Sequence, residues 1–367
     1  MRSARLVLED GSTWEGKAFG ADVDSIGEVV FNTSCTGYQE ILTDPSYSFQ
    51  IVVMTSPHIG NYGLDEGFEQ SCQPQVSGFI VRELSPGRDP RSNESLAEYF
   101  TKHGLVGLTG VDTRALTRRL RVAGAAKGMI VSTDRPIPEV VREIEQAPPM
   151  TGRDLVREVT ALRPYLVEPA NGRKKHRIAV YDFGVKRDIL DQLACRGAEV
   201  TVYPASIHPE EILNADFDGV VLSNGPGDPE PVSYAIENIR QLIGKVPILG
   251  ICLGHQLLGL ALGGSTYKLK FGHHGGNHPV KDLRTSKVAI TAQNHGFAVD
   301  PDSLSESEIE LTHLNLNDET LEGFRHRSHP ILAFQFHPEA APGPHDSLHV
   351  FDDFFSLIEE FHGARNG

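Results

Sequence analysis

The chain has 367 residues, of which 39% are hydrophobic and 23% are charged, and its formal net charge is −15 at pH 7. This acidic balance argues against unaided binding to nucleic acid and against docking on an anionic membrane. The length is sufficient for two or three domains, each with its own hydrophobic core.

The cysteines and the apolar runs bear on the compartment. The four cysteines are Cys35, Cys72, Cys195 and Cys252, and no two of them form a C-x-x-C pair. So few cysteines in a chain of this length predict no disulfide framework. No apolar run approaches the roughly 18 residues of a membrane span, and the N-terminal "MRSARLVLEDGSTW" lacks the apolar core of a signal peptide. We therefore expect a soluble cytoplasmic protein.

The N-terminal half consists of β-like segments separated by turn residues. They are "ARLVLEDGSTWEGKAFG", "GEVVFNTS", "FQIVVMTSP" and "VSGFIVREL", and a helical stretch, "SLAEYFTKHG", follows near 95–104. This pattern predicts an α+β domain over residues 1–150. Two stretches rich in Pro, Gly and charge, 145–155 and 167–177, predict a linker over residues 151–175.

The C-terminal half alternates apolar strands with helices. The predicted strands include "RIAVYDFG", "AEVTVYPA", "DGVVLSNGPGDP" and "VPILGI", and helices are predicted in "VKRDILDQLACRG", "YAIENIRQLIG" and "GHQLLGLALGG". Such alternation is typical of a doubly wound, mostly parallel sheet. β-like segments return after about residue 265, and an amphipathic helix ends the chain. We therefore predict an α/β domain over residues 176–367.

Cys252 lies in the predicted turn between a strand and a helix, within the sequence G-x-C-x-G. This is the cysteine counterpart of the G-x-S-x-G turn that presents a nucleophilic serine. Gly250 and Gly254 allow the backbone to pass closely on both sides. The turn predicts a sulfur at the carboxyl edge of the sheet and at a helix N-terminus, where the helix dipole favours the thiolate. We therefore expect a nucleophile here, and the amide of Leu253 can bind an oxyanion.

The sequence "FQFHPEA" offers a base and a group that orients it. A thiolate nucleophile requires a base. His337 and Glu339 are two residues apart in a predicted strand, so their side chains would project to the same side. Pro338 fits the end of a strand that leaves the sheet.

Three motifs in this order, "LSNGPGDP" (222–229), "GICLGHQ" and "FQFHPEA", resemble the class I, or triad, glutamine amidotransferases. Outside that domain, "GEVVFNTSCTGYQEILTDPSYSFQIV", "PHIGNYG", "GLTGVDTRALTRRLR", "KFGHHGGNHPV" and "TAQNHGFAVD" resemble the small, glutamine-hydrolysing subunits of carbamoyl-phosphate synthases. This resemblance covers nearly the whole chain. It implies an α/β amidotransferase domain and a separate N-terminal α+β domain that docks the partner. One departure is Phe336, because the family's small subunits often have a small residue before the histidine.

The resemblance also implies roles for individual residues. Cys252 would attack the side-chain amide of glutamine to form a glutamyl thioester. His337 would protonate the departing ammonia and then activate water, while Glu339 would hold His337. Leu253 and Gly225 would supply N–H groups to the oxyanion. The positions that match glutamine-binding residues are Ser46, Gly225, Gly227, Leu253, Gln256, Asn294, Gly296 and Phe297.

A larger partner is implied as well. The ammonia would pass to a large synthase subunit that makes carbamoyl phosphate from bicarbonate and ATP, in a heterodimer or a higher oligomer. ATP and Mg²⁺ are expected on that subunit. No cofactor is expected on this chain, which has no G-x-x-x-x-G-K-[ST] sequence. The sequence does not decide whether the product serves arginine synthesis, pyrimidine synthesis or both.

Other motifs have plainer interpretations. The histidines of "GHHGGNH" (272–278) lack the spacing of a metal site, so no metal is predicted. The run "SNGPGDPE" ends in Glu230 rather than glycine, which argues against a dinucleotide site. His255 is expected to pack at the helix start, and Cys35 in a core. Three other functions stay open: a stand-alone Cys–His hydrolase, a non-catalytic protein with this fold, and a class I amidotransferase of another specificity.

Overall fold

The computed structural model describes residues 2–86 and 94–366, and the chain forms two compact units. The first unit comprises Met1–Arg153 and Lys270–Gly275, and the second comprises Asp154–Leu269 and Gly276–Gly367. The segment predicted as a linker, 151–175, instead carries a short helix and a strand of the second unit. Its strand gains backbone partners at a sheet edge, which composition does not reveal.

The first unit is built on a closed barrel of strands in the order β1-β2-β8-β6-β4-β3-β9, with a separate pair β5-β7. Its strands are β1 Arg2–Leu8, β2 Thr13–Gly20, β3 Ser25–Asn32, β4 Gln50–Met54, β5 His58–Ile59, β6 Gly78–Val81, β7 Glu83–Leu84, β8 Val106–Thr109 and β9 Ala126–Ser132. Its helices are α1 Tyr38–Thr43, α2 Leu96–Lys102, α3 Thr113–Ala123 and α4 Ile137–Gln146.

Both faces of the central barrel strands are buried. In β4, Ile51 and Val53 join one apolar cluster, while Val52 and Met54 join another that includes helix residues. Because successive side chains of a strand point to opposite faces, a strand covered on both sides reads as a continuous apolar run. Strands combined with helices in this way confirm the predicted N-terminal α+β domain.

The second unit is built on a ten-stranded sheet in the order β10-β12-β11-β13-β14-β19-β18-β17-β15-β16. The strands are β10 Tyr165–Val167, β11 His176–Asp182, β12 Ala198–Pro204, β13 Gly219–Leu222, β14 Ile248–Ile251, β15 Thr266–Asp282, β16 Val288–Val299, β17 Ile309–Asn315, β18 Leu321–His326 and β19 Ile331–Phe334. The helices are α5 Val156–Val159, α6 Arg187–Cys195, α7 Pro209–Leu213, α8 Ser233–Leu242, α9 Leu253–Ala261 and α10 His349–Asn366.

Helices cover both faces of the parallel part of this sheet. Neighbours from β12 to β19 pair in parallel, whereas β10, β17 and β18 pair antiparallel to their neighbours. In β11, Ile178 and Val180 pack with residues of α6 and α10, while Ala179 and Tyr181 pack with residues of α8 and α9. The predicted α/β class with a doubly wound, mostly parallel sheet is thereby confirmed.

Within 2–86 and 94–366, none of the helices has both the length and the apolar character that a bilayer crossing requires.

Candidate functional site

The candidate site lies where four neighbouring parallel strands of the second unit end. These strands, β11, β13, β14 and β19, end at Asp182, Leu222, Ile251 and Phe334. Their carboxyl ends meet at one edge of the sheet, which is where open α/β sheets bind ligands. The segments that leave these strands carry most of the residues that the sequence singled out.

Cys252 occupies the turn between β14 and α9 and has a strained backbone. It is the N-cap of α9, with φ 54° and ψ −103°, a conformation that is costly for a residue with a Cβ. Its N–H donates to the carbonyl of Phe334 at 2.8 Å, which ties the turn to β19. The residue is only 1% exposed, so the sulfur is buried rather than open at the sheet edge.

The flanking glycines make this turn possible. A Cβ on Gly254 would lie 2.1 Å from the carbonyl oxygen of Leu222, and one on Gly250 would lie 2.7 Å from a methyl of Leu258. Atoms cannot approach a backbone carbonyl this closely. The strand β13 therefore runs against the start of α9 only because Gly254 has no side chain.

The substitution Gly254→Ala is expected to lower the free energy of unfolding by about 1–3 kcal/mol or more, because the added methyl overpacks a site bounded by backbone. Urea denaturation followed by circular dichroism measures this. The control is Gly363→Ala in the exposed last turns of α10, where a Cβ meets no atom within 4 Å and the variant should be as stable as the parent or slightly more so. Equal stability of Gly254→Ala and the parent would contradict this account of the turn.

His337 and Glu339 lie just beyond β19, and not within a strand as predicted. The strand ends at Phe334, and His337 makes an isolated bridge to Ala292, with its N–H donating to the Ala292 carbonyl at 2.9 Å. Pro338 has no N–H with which to continue a ladder. The turn nevertheless brings the two side chains together, since Nδ1 of His337 lies 2.7 Å from Oε1 of Glu339.

Lys186 completes this group, and the sequence analysis did not identify it. It follows β11, is 2% exposed, and its Nζ donates to Oε1 of Glu339 at 2.9 Å and to the carbonyl of Ala340 at 2.5 Å. The backbone N–H of Lys186 also donates to Oδ1 of Asn224 at 3.1 Å. The sequence around Lys186 does not indicate that its partner, Glu339, lies 153 residues further along the chain.

The opposite charges of Glu339 and its two partners, His337 and Lys186, stabilise one another. Burial opposes the charged form of His337, but attraction to Glu339 and to the Cys252 sulfur outweighs it and raises the pKa of His337, against a smaller opposing effect of Lys186. Burial likewise opposes the charged form of Glu339, but Lys186 and His337 outweigh it and lower the pKa of Glu339. The imidazolium and the carboxylate are thus the favoured forms at neutral pH.

Two further polar groups contact the sulfur in the protein interior. It lies 3.5 Å from the carbonyl of Asn294 and 3.7 Å from Nε2 of Gln335. The side chain of Gln256 lies close to these groups. Its Nε2 donates to the carbonyl of Phe297 at 2.8 Å and to Oε1 of Gln335 at 3.1 Å. Three residues that match glutamine-binding positions, Gln256, Asn294 and Phe297, therefore surround the start of α9.

The remaining predicted residues divide between the two units. Gly225 packs against Leu253, because a Cβ on it would lie 2.8 Å from a methyl of that residue, and Gly227 has φ 83°, which favours glycine. Gly296 faces open space, since a Cβ on it would meet no atom within 4 Å. Ser46 belongs to the first unit, where it is buried in a 3₁₀ turn and its N–H donates to the carboxylate of Asp44 at 2.9 Å.

Two residues that were expected to have structural roles behave differently from each other. His255 is fully buried in α9 and its ring lies 4.8 Å from that of Phe324, which is the expected packing role. Cys35, expected in a core, is exposed, so that expectation was wrong. The segment "NTSCTGYQ" forms a bend after β3. The expectation of an apolar residue at this position does not reveal that the chain leaves the core there.

Comparison with known proteins identifies both halves of the chain. Residues 179–357 match the family model "Glutamine amidotransferase class-I", and residues 6–130 match "Carbamoyl-phosphate synthase small chain, CPSase domain". Curated relatives named carbamoyl phosphate synthase small chain include those of Syntrophotalea carbinolica, 51% identical over 97% of this chain and 98% of the relative, and of Aquifex aeolicus, 49% identical over 98% and 99%. The chain belongs to the carbamoyl phosphate synthase small chain family, and its C-terminal half is a class-I glutamine amidotransferase domain.

Proposed function

We propose that this chain hydrolyses the side-chain amide of glutamine through a thioester on Cys252 and supplies the ammonia to a large synthase subunit. The observation that carries the proposal is the buried chain of polar contacts at the sheet edge. It joins Lys186 to Glu339 at 2.9 Å and Glu339 to His337 at 2.7 Å, and His337 interacts with the Cys252 sulfur. A nucleophile, a base and a group that orients the base are the components that covalent catalysis requires.

In the proposed reaction, the Cys252 thiolate attacks the amide carbon of glutamine, and the carbonyl oxygen becomes an oxyanion. The N–H of Leu253 would donate to it, because the first N–H groups of a helix have no acceptor within the helix, and the N–H of Gly225 would donate from the segment after β13. His337 then gives a proton to the nitrogen, the C–N bond breaks, and ammonia leaves. A water molecule, deprotonated by His337, attacks the thioester and releases glutamate and the thiolate.

The tautomer of His337 suits this exchange. Nδ1 is engaged by Glu339, which leaves the buried Nε2 as the other proton-carrying nitrogen of the ring. Nε2 is therefore the nitrogen that would pass protons between the sulfur, ammonia and water. Glu339 stabilises the imidazolium that forms, and Lys186 keeps Glu339 ionised and in place.

The proposed substrate contacts extend the same region. Gly227, Gln256, Asn294, Gly296 and Phe297 would bind glutamine. Free glutamine has an α-carboxylate and an α-ammonium group that need polar partners, and its amide must lie beside the sulfur. Because Cys252 is 1% exposed, substrate entry requires local movement, and we propose that the large subunit promotes it.

The proposed partner determines the fate of the ammonia. The large subunit would bind ATP and Mg²⁺ and combine the ammonia with bicarbonate to give carbamoyl phosphate. Ammonia is protonated in neutral water and loses its nucleophilicity, which favours direct transfer between the subunits. A stand-alone hydrolase would need no partner, so activation by the large subunit discriminates between the two functions.

Acid quenching during turnover is expected to trap the intermediate. After rapid mixing of the complex with glutamine, the peptide that contains Cys252 should gain the mass of a glutamyl group by mass spectrometry, and Cys252→Ser should gain nothing. The exposed Cys35, Cys72 and Cys195 are internal controls. Glutamate release without an adduct on Cys252, or an adduct on one of the other cysteines, would refute the thioester route.

A further inference from the structure

Gln335 lies between the end of β19 and His337, and its side chain contacts the reactive sulfur. The residue is fully buried, and its Nε2 lies 3.7 Å from Sγ of Cys252. None of the roles considered above uses it. Because a side-chain amide can present either an N–H or an oxygen to the sulfur, its orientation decides its effect.

The surrounding hydrogen bonds set that orientation. The carbonyl of Phe297 can only accept, so the group of Gln256 that lies 2.8 Å from it must be the NH₂. The same NH₂ group lies 3.1 Å from Gln335 and donates to its Oε1. The NH₂ group of Gln335 is therefore the one that faces Cys252. Since Gln256 is itself buried, with 2% exposure, neither amide can turn without leaving a buried group unsatisfied.

The donor matters because another polar neighbour of the sulfur, the Asn294 carbonyl, favours the thiol. The Asn294 carbonyl, 3.5 Å away, accepts a hydrogen bond from S–H but repels a thiolate. An N–H group acts in the opposite direction, because it stabilises the negative sulfur. The two contacts have opposite effects on the charge of one buried sulfur, and removal of Gln335 would leave the effect of the carbonyl unopposed by this amide.

Other titratable groups near the sulfur do not replace this donor. His337 attracts the thiolate, but its positive charge is shared with Glu339, which Lys186 also contacts. His255, on the same helix as Cys252, interacts with Gln335, but burial lowers the pKa of His255 to about 3 and keeps the ring neutral. Gln335 is thus a neutral N–H donor aimed at the sulfur from a second segment.

We propose that Gln335 is a catalytic hydrogen-bond donor that stabilises the Cys252 thiolate, and that Gln256 acts as a positioning residue by fixing the direction of the Gln335 amide. This inference rests on the proposed function, since it assigns a further role within the same reaction. It gives Gln256 a function beyond substrate contact.

The test compares Gln335→Leu and Gln335→Glu with the parent in the complex with the large subunit. The pH dependence of Cys252 alkylation by iodoacetamide is followed by peptide mass spectrometry. Loss of a hydrogen bond to a charged group should raise the midpoint of this curve by about one pH unit, so that alkylation at pH values below both midpoints slows about tenfold. Gln335→Glu should shift it further, and the acid limb of the kcat/KM profile should move equally.

The matched control is Gln39→Leu, which removes a buried glutamine amide from the first unit. Gln39 is 1% exposed and accepts a hydrogen bond from the N–H of Asp65, so its loss should lower the Tm without moving either pH curve. Unchanged pH midpoints in both Gln335 variants, with only a lower Tm, would overturn the proposal and leave Gln335 a structural residue. If Leu prevents folding, Gln335→Met decides, because it is neutral, similar in length and equally without a donor.

The proposed role of Gln335 and the proposed function can be refuted independently of each other. Loss of glutamine hydrolysis in Cys252→Ser, combined with unshifted curves in the Gln335 variants, refutes only the role of Gln335. Retained hydrolysis in Cys252→Ser refutes the proposed function itself.

Discussion

Replacement of Cys252 by serine is expected to abolish carbamoyl phosphate synthesis from glutamine and to leave synthesis from added ammonia unchanged. A serine hydroxyl at this position is a far weaker nucleophile than a thiolate paired with an imidazolium, whereas added ammonia bypasses the amide-cleaving step. The two activities are measured in the reconstituted complex with the large subunit, under identical ATP and bicarbonate concentrations.

A matched control is Cys195→Ser, because Cys195 is an exposed cysteine at the end of α6 in the same unit. This variant should retain both activities. If Cys252→Ser still used glutamine, the amide-cleaving role of the sulfur would be refuted. Loss of both activities would instead indicate that the serine variant disrupts the complex, and the thioester experiment would then decide.

Lys186→Met is expected to lower both stability and glutamine hydrolysis. The lysine is 2% exposed and holds a carboxylate that is fully buried. Removing one partner of a buried ion pair typically costs about 3–5 kcal/mol, and the contact that Glu339 keeps with His337 should place the loss toward the lower end. Without the lysine, burial would favour the protonated form of Glu339 more strongly. Glu339 would then hold His337 less firmly, so kcat should fall. Urea unfolding followed by circular dichroism and steady-state hydrolysis assays measure the two effects.

The exposed pair of Lys174 and Glu199 provides the control for this variant. Their charged atoms are 2.8 Å apart, but the lysine side chain is 47% exposed, so Lys174→Met should change stability by less than about 1 kcal/mol. If Lys186→Met were no less stable than Lys174→Met, then the buried pair would contribute little and Lys186 would have no supporting role in the site.

Local patterns predicted most of the elements and placed the candidate site residues near one another. Nearly all-apolar strands alternating with helices predicted the doubly wound sheet, because strands covered on both faces have no polar side. The two glycines around Cys252 predicted the tight turn, and the structure shows the reason: a Cβ on Gly254 would collide with the carbonyl of Leu222. His337 and Glu339 were predicted as neighbours, although the geometry that joins them is a turn rather than a strand.

Other features had no local signal. The exposure of Cys35 depends on where the chain leaves a core, and the strand Tyr165–Val167 depends on an edge being free to receive it. A segment rich in Pro, Gly and charge is equally compatible with a linker and with a short edge strand. The predicted linker over 151–175 therefore differs from the structure for a physical reason.

The sequence by itself predicted which residues would carry the chemistry, because a cysteine between two glycines at a strand-to-helix turn and the H-P-E motif are both local patterns. Only the folded chain decided what surrounds them. Lys186 reaches Glu339 across 153 residues, and the amide of Gln335 meets the sulfur across 83. Such contacts arise because parallel strands distant in sequence end at one sheet edge. Burial there strengthens each hydrogen bond and each interaction between charges.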